Sequence, residues 1–269
     1  MTNRKTSVAG SFYPNNPTVL KNEISSFLSR TKKKSHQKVK FLVVPHAGYF
    51  YSGQTAGESF VEIQNHNYKK IILLGPSHRH RFNAIAESGF QKWESPLGLM
   101  SVDESRGGRI IQEPNYHRLE HSLEVQIPFL KYLLPDTPII PLLLSGATTN
   151  ANEFSDILID YDDINTLWVI SSDFNHTGPS FGHYPREFGY SSGEEMDAEA
   201  LKLISKGSPK PFIDFLEKTN STICGALPIL VTMLLINKLK HQPLIFKSYD
   251  CSSRLTGDSD SVGYGAMFC

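Results

Sequence analysis

A chain of 269 residues and 30.2 kDa, 39% hydrophobic and 20% charged, can bury a full core and shows no break in composition, so one domain over 1–269 is expected. Its 27 basic residues balance 27 acidic ones, which excludes a charge-driven partner and argues against nucleic acid; the one basic run, Lys32-Lys33-Lys34, reads as a solvated face beside a helix end. The N-terminus lacks the apolar core of a signal peptide and the longest apolar stretch, Ala226 to Ile236, is too short for a bilayer, so a cytoplasmic protein without a membrane partner is expected. Three cysteines, Cys224, Cys251 and Cys269, make an odd number without CxxC spacing, against both a disulfide framework and a zinc ribbon.

Ala9-Gly10-Ser11-Phe12-Tyr13-Pro14 reads as an irregular lead-in. Asn16 as N-cap and Pro17 at the first helical position predict a helix over 17–29. Next, 38–44 is an apolar, β-branched run of strand length that places His46 just past its end. After Gly53 the pattern turns helical, with Ala56, Phe60, Val61 and Ile63 on one face. A second apolar strand, Ile71 to Leu74, runs into Gly75-Pro76-Ser77-His78. Strand, helix, strand is the signature of a right-handed βαβ unit, whose strand ends leave one edge of a parallel sheet, the edge where ligands bind. Two histidines at equivalent exits can converge there on one metal ion or one substrate.

The stretch 82–102, with Trp93 and the turn-forming Ser95-Pro96-Leu97-Gly98, reads as loop and short strands placed to wall such a site. A helix over 121–134, kinked at Pro128, carries Glu120, His121 and Glu124 on its first turn. A strand over 138–144, a helix over 152–161 and a strand over 166–170 follow, the last delivering Asp173 and His176 at its exit. The Gly-, Tyr- and Ser-rich stretch 181–193 reads as a loop before helices over 196–205 and 209–217. Cys224 lies at or just before the N-terminus of an apolar helix running to 239, where the positive end of the helix dipole favours a thiolate. Strands over 244–249 and 262–268 close the chain.

His46, His78 and His176 thus all follow apolar strands. Singly, each also reads as a structural histidine, and Cys224 as a small buried hydrophobe. Together they allow a His₂Cys site, whose borderline donors suit iron, copper or zinc better than magnesium or calcium. Asp173 and His176 are candidates for an orienting or proton-transfer pair, Asp173 alternatively capping a turn. Glu120, His121 and Glu124 read equally as acidic and polar residues favoured at a helix start. Tyr49, Tyr51, Trp93, Phe174 and Tyr190 are divided between pocket and core. No G-x-S-x-G, Walker A or H-E-x-x-H sequence occurs, and Gly263-Tyr264-Gly265 lacks the third glycine of a dinucleotide fingerprint.

Five segments, Pro45-His46-Ala47-Gly48-Tyr49, Gly75-Pro76-Ser77-His78, Glu120-His121-Ser122-Leu123-Glu124, Ser171-Ser172-Asp173-Phe174 with His176, and Ile223-Cys224-Gly225, resemble the Memo family. Its bacterial and archaeal members are called AmmeMemoRadiSam system protein B. The matches run in order from the Ala9 lead-in to Ser261-Val262-Gly263-Tyr264, essentially the whole chain. The resemblance implies an α/β fold like that of class III extradiol dioxygenases, three layers α/β/α about a mostly parallel or mixed sheet. It also implies one transition metal ion held by His46, His78 and Cys224, with His176 in the place of the dioxygenase general base. Where the dioxygenases use a glutamate, the thiolate adds soft character and an oxidisable ligand, which argues against ring cleavage.

The expected function is therefore a mononuclear redox enzyme using iron or copper, with zinc as the third metal. His176, supported by Asp173, would act as acid and base, and Tyr49, Tyr51, Glu120, His121 and Phe174 would line the substrate pocket. A binding protein with a vestigial pocket and a zinc-dependent hydrolase are the alternatives. The partner is a small molecule or peptide, and the family name implies a pathway link to a radical-SAM protein.

Overall fold

The computed structural model describes residues 3–32, 35, 37–103 and 108–269; Lys33 and Lys34 of the basic run, like Met1 and Thr2, lie outside them. A short strand β1 (Asn3–Arg4) precedes helix α1 (Pro17–Ser29), capped by the Asn16 side chain as its sequence predicts. Strand β2 (Phe41–Val44) starts later than the apolar run, because Lys38 and Lys40 reach out to Asn165 and Asp162. Helix α2 (Tyr49–Phe60) starts ahead of Gly53 and contains it. Gly53 and Gly57 are there for close packing: a Cβ at Gly53 would lie 2.5 Å from the Phe27 ring of α1.

Strand β3 (Lys70–Pro76) leads to β4 (Ala84–Glu87), β5 (Lys92–Ser95), β6 (Gly98–Ser101) and β7 (Ile110–Gln112), then to the short helix α3 (Pro114–Arg118). The expected kinked helix is instead a 3₁₀ turn, Glu124–Gln126, followed by α4 (Ile127–Leu133). Pro128 sits in the first turn of α4, where its missing N–H sacrifices no hydrogen bond, so nothing bends. Glu120 and His121 precede this helix in the connection to it.

Of the remaining elements, β8 (Ile139–Ser145), α5 (Ala151–Leu158), β9 (Thr166–Ser171), α6 (Gly193–Ser205), α7 (Pro209–Lys218), α8 (Ala226–Lys238), β11 (Ile245–Cys251) and β12 (Ser261–Phe268) fall close to expectation, while the two-residue strand β10 (His176–Thr177) and the short helix α9 (Ser252–Thr256) were not expected.

Among the described residues the main sheet runs β10-β12-β2-β9-β3-β8-β4-β7, with β11 paired to β12. The central four, β2, β9, β3 and β8, are parallel, while β12 and β4 flank them antiparallel, so the sheet is mixed. Side chains alternate across it. Phe41, Val43, Ile72, Leu74, Trp168 and Ile170 join one core with residues of α5, α6, α7 and α8. Their neighbours Leu42, Val44, Ile71, Leu73, Leu167 and Val169 join the other with residues of α1, α2 and α4. Burial on both faces explains why these strands read as unbroken apolar runs, and each such side chain contributes roughly 1.5–3 kcal/mol. The result is three layers, α/β/α.

Two departures concern the site. Strand β9 lies between β2 and β3, so the strand–helix–strand unit does not pair its own strands and the exit of β9 emerges between His46 and His78. Strands β5 and β6 form a separate sheet with β1 and pack against α4; Trp93 is fully buried beneath the Arg4 guanidinium, 4.3 Å from the ring centroid, and walls no site. Tyr190 likewise meets Phe215 edge-on beside the core.

Candidate metal centre

His46 follows β2 by two residues and is 1% exposed. Its backbone N–H donates to Asp173 Oδ1 at 2.7 Å, its Nδ1 lies 2.9 Å from Ser171 Oγ, and its Nε2 lies 3.1 Å from Cys224 Sγ. His78 leaves β3 in the same sense. Its N–H donates to Glu120 Oε2 at 2.6 Å, and its Nδ1 lies 2.9 Å from Glu120 Oε1. Cys224 sits just ahead of α8, and Gly225, the N-cap, presses its N–H on Ser172 Oγ at 3.0 Å. A Cβ at Gly225 would lie 2.3 Å from Ser172 Cβ, so only glycine lets the cysteine approach the sheet edge this closely. The ligand atoms of His46, His78 and Cys224 all lie within 4.8 Å of one another, the scale of donors sharing one ion through bonds of about 2.0–2.3 Å.

Burial, then the neighbouring His78 and His121, hold His46 well below the usual imidazole range, so it is neutral. Burial opposes ionisation of Glu120, but hydrogen bonds from the His78 ring, Ser122 N–H and His78 N–H hold it at about 2. A buried carboxylate facing His78 Nδ1 makes that nitrogen an N–H donor, so Nε2 is the ring nitrogen left to face a ligand. The Cys224 thiol departs from expectation. Burial first, and Asp173 second, push it well up, outweighing the N–H groups of Asp173 and Gly225. The helix start alone therefore does not yield a thiolate; a bound cation would supply the missing charge.

Asp173 and His176 do not pair. Asp173 accepts from the backbone of His46 and Ala47, its Oδ2 lies 4.0 Å from His46 Nε2, and burial raises it to about 7. His176 begins β10; its N–H donates to Thr222 Oγ1 at 2.7 Å and its ring meets Phe181 edge-on at 5.2 Å. Burial lowers it to about 4, and its buried Nε2 makes no hydrogen bond among the described residues.

The expected pocket residues also divide. Tyr49 is buried with its hydroxyl on Val125 O at 2.8 Å, packed between Tyr13, Phe27 and Phe129, and Phe174 is fully buried against Gly265. Both belong to the core. Glu120, 1% exposed, stands behind His78 with its carboxylate on the ring Nδ1. Tyr51 is 39% exposed beside Phe50. His121 is at the site: its ring stacks on His78 at 4.6 Å and lies 5.5 Å from His46. Burial lowers it to about 4. His78, Glu120 and His121 form a second donor group, but it shares His78, whose Nδ1 Glu120 already occupies, and so belongs to the same site.

Four residues that hold the site were assigned no role from the sequence: Gln126, Asn175, Asp197 and Ser171, the last although it opens the Ser171-Ser172-Asp173-Phe174 motif. Asn175 donates from its backbone and side chain to Asp197 Oδ1, at 3.0 and 2.7 Å, and accepts Thr222 N–H and Ser221 Oγ, joining the His176 and Cys224 segments. Asp197 had a signal, since it lies in phase with the apolar residues Ala200, Leu201 and Ile204 of α6.

Burial raises Asp197 to about 7 despite bonds from Asn175 and Tyr249. The folded state thus keeps a proton that the unfolded chain releases near pH 4, and stability falls between pH 4 and 7 by up to about 1.4 kcal/mol per pH unit for this group. Asp173 adds a slope of the same sign. Asp197→Asn, which mimics the protonated acid, is expected to flatten the dependence in urea titrations at pH 4.5, 6 and 7.5; an unchanged slope would show Asp197 ionised.

Comparison with known proteins agrees over the whole fold. A family model described as Memo-like protein matches residues 4–268. A MEMO1 family protein of Saccharolobus solfataricus is 32% identical over 286 residues, covering 97% of each chain. One of Thermoplasma volcanium is 32% identical over 276 residues, covering 98% of this chain and 97% of its own, and one of Sulfurisphaera tokodaii is 30% identical over 286 residues, covering 97% of each. Among the described residues no helix is long and apolar enough to cross a membrane. With the expected motifs in order along a three-layer sheet and a family match across nearly its full length, the chain belongs to the Memo family.

Proposed function

We propose that this protein is a mononuclear, metal-dependent redox enzyme acting on a small molecule or peptide, with iron or copper held by His46, His78 and Cys224. One observation carries the reading: two imidazole donors at the exits of β2 and β3, on either side of β9, and one thiol just ahead of α8 converge within 4.8 Å. The donor set fits such an ion, since imidazole and thiolate select iron, copper and zinc over magnesium and calcium. Bound there, the metal would supply Lewis-acid and one-electron chemistry. Glu120 orients His78, and the Gly225 contact holds Cys224 against the sheet edge. His78 and His121 keep 31% and 21% of their side chains exposed and mark the open side. His176, neutral at pH 7 with an unpartnered Nε2, can take a hydrogen bond or a proton from a bound substrate.

The test is metal analysis of the chain purified anaerobically without chelators, together with oxygen uptake in the presence of ascorbate. About one iron or copper per chain is expected, and His176→Ala should keep the metal while slowing oxygen uptake by about a hundredfold. Zinc alone with no oxygen uptake would overturn the redox assignment in favour of hydrolysis. Failure to take up iron or copper on anaerobic reconstitution would leave a binding protein.

A further inference from the structure

We infer that Ser171, oriented by Gln126 and Ser122, is a positioning residue that fixes His46 as the Nδ1–H tautomer and so aims the Nε2 lone pair at the donor cluster. The inference concerns the same site and its consequence for metal affinity rests on the metal-centre reading.

A count of hydrogens around Ser171 Oγ fixes the tautomer. Ser171 Oγ lies 2.6 Å from Ser122 O, 2.9 Å from Gln126 Nε2 and 2.9 Å from His46 Nδ1. A carbonyl only accepts, so the single hydroxyl hydrogen goes to Ser122 O. Gln126 Nε2 only donates, and its orientation is set, because the same nitrogen lies 2.9 Å from Pro45 O and turning the amide over would set Gln126 Oε1 against that carbonyl oxygen. One lone pair of Oγ is thereby taken, and the other meets His46 Nδ1, which must carry a hydrogen. Ser171, Gln126 and Ser122 are each fully buried and His46 is 1% exposed, so water does not compete for these groups. Ser122 Oγ in turn donates to Pro76 O at 2.9 Å, tying the arrangement to the end of β3 just before His78.

The two histidines therefore reach one tautomer by different means, a neutral hydroxyl behind His46 and a carboxylate behind His78. Ser171 can do this because it ends β9, which emerges between the two histidine-bearing strands. Outer partners of this kind are typically worth 10–100-fold in metal affinity.

The test uses the metal-free full chain with ¹⁵N-labelled histidine. Long-range ¹H–¹⁵N correlation is expected to show the Nδ1–H pattern for His46, assigned by its loss in His46→Gln. Ser171→Ala should mix the two tautomers and raise the Kd for cobalt(II) by about 10–100-fold. A His46 protonated at Nε2 in the unmodified chain would overturn the inference, as would a Ser171→Ala variant with unchanged tautomer and unchanged cobalt Kd. If the tautomer is fixed and lost in Ser171→Ala while cobalt binds neither protein, the positioning role stands and the metal-centre reading falls.

Discussion

Replacing Cys224 by serine is expected to abolish stoichiometric metal uptake while leaving the metal-free fold intact. The thiol lies 3.1 Å from His46 Nε2 and is the one soft donor in the group. A serine hydroxyl does not ionise near neutral pH, so the variant offers two imidazoles and no anion; the loss should exceed the roughly 10–100-fold that removal of an outer partner costs. Serine can still bond His46 Nε2 and keeps the volume nearly constant, so the unfolding free energy of the metal-free protein in urea should change by less than about 1 kcal/mol. Equilibrium dialysis with metal analysis, beside denaturation of the metal-free chain, separates the two effects. A Cys224→Ser protein that binds within threefold of the parent would remove the cysteine from the ligand set. Because burial holds the free thiol protonated, uptake should also release a proton and strengthen as pH rises.

Glu124→Ala should cost about 3–5 kcal/mol, the range for breaking a buried ion pair by removing one partner. Arg4 Nη1 meets Glu124 Oε2 at 2.7 Å with both side chains fully buried. The same carboxylate accepts from Ser7 N–H and Oγ, Val8 N–H and Tyr13 hydroxyl, and so anchors the irregular lead-in that carries Gly10 and Pro14. Arg4 also donates to His117 O and Glu120 O, which links the pair to the segment carrying Glu120 and His121. Alanine strands the guanidinium and these donors away from water.

Burial opposes ionisation of Glu124, but Arg4, Ser7, Val8 and Tyr13 bring it below its usual range. With a depressed folded pKa the contribution is present above the unfolded value near 4 and is lost as pH falls through the folded one. Chemical denaturation at pH 7 measures the cost; a loss below about 1 kcal/mol would show that water reaches Arg4. Arg4→Met with Glu124→Leu should cost less than either single change, since no charge is then left unpaired.

Much of this molecule was legible before any coordinates. Apolar runs of strand length ending in His46, His78 and the Asp173–His176 segment, the Asn16 cap, and Cys224 at the head of an apolar helix are all local patterns, written in consecutive residues. Period and punctuation are properties of the chain itself, so the alternation of strands and helices followed from them, while the three-layer class came from the resemblance that the motifs carry. What only the tertiary structure decided is which strand exits are neighbours. The placement of β9 between β2 and β3 depends on pairing between segments far apart in sequence, and it brings Ser171 to His46 and turns Asp173 toward His46, away from His176. Burial was equally a tertiary outcome. Gly53, read as lying ahead of the helix, sits inside it and makes room for Phe27; Tyr49 and Phe174 stand in motifs yet fill the core; and a thiol at a helix start is held protonated because the fold excludes the water that would solvate its charge.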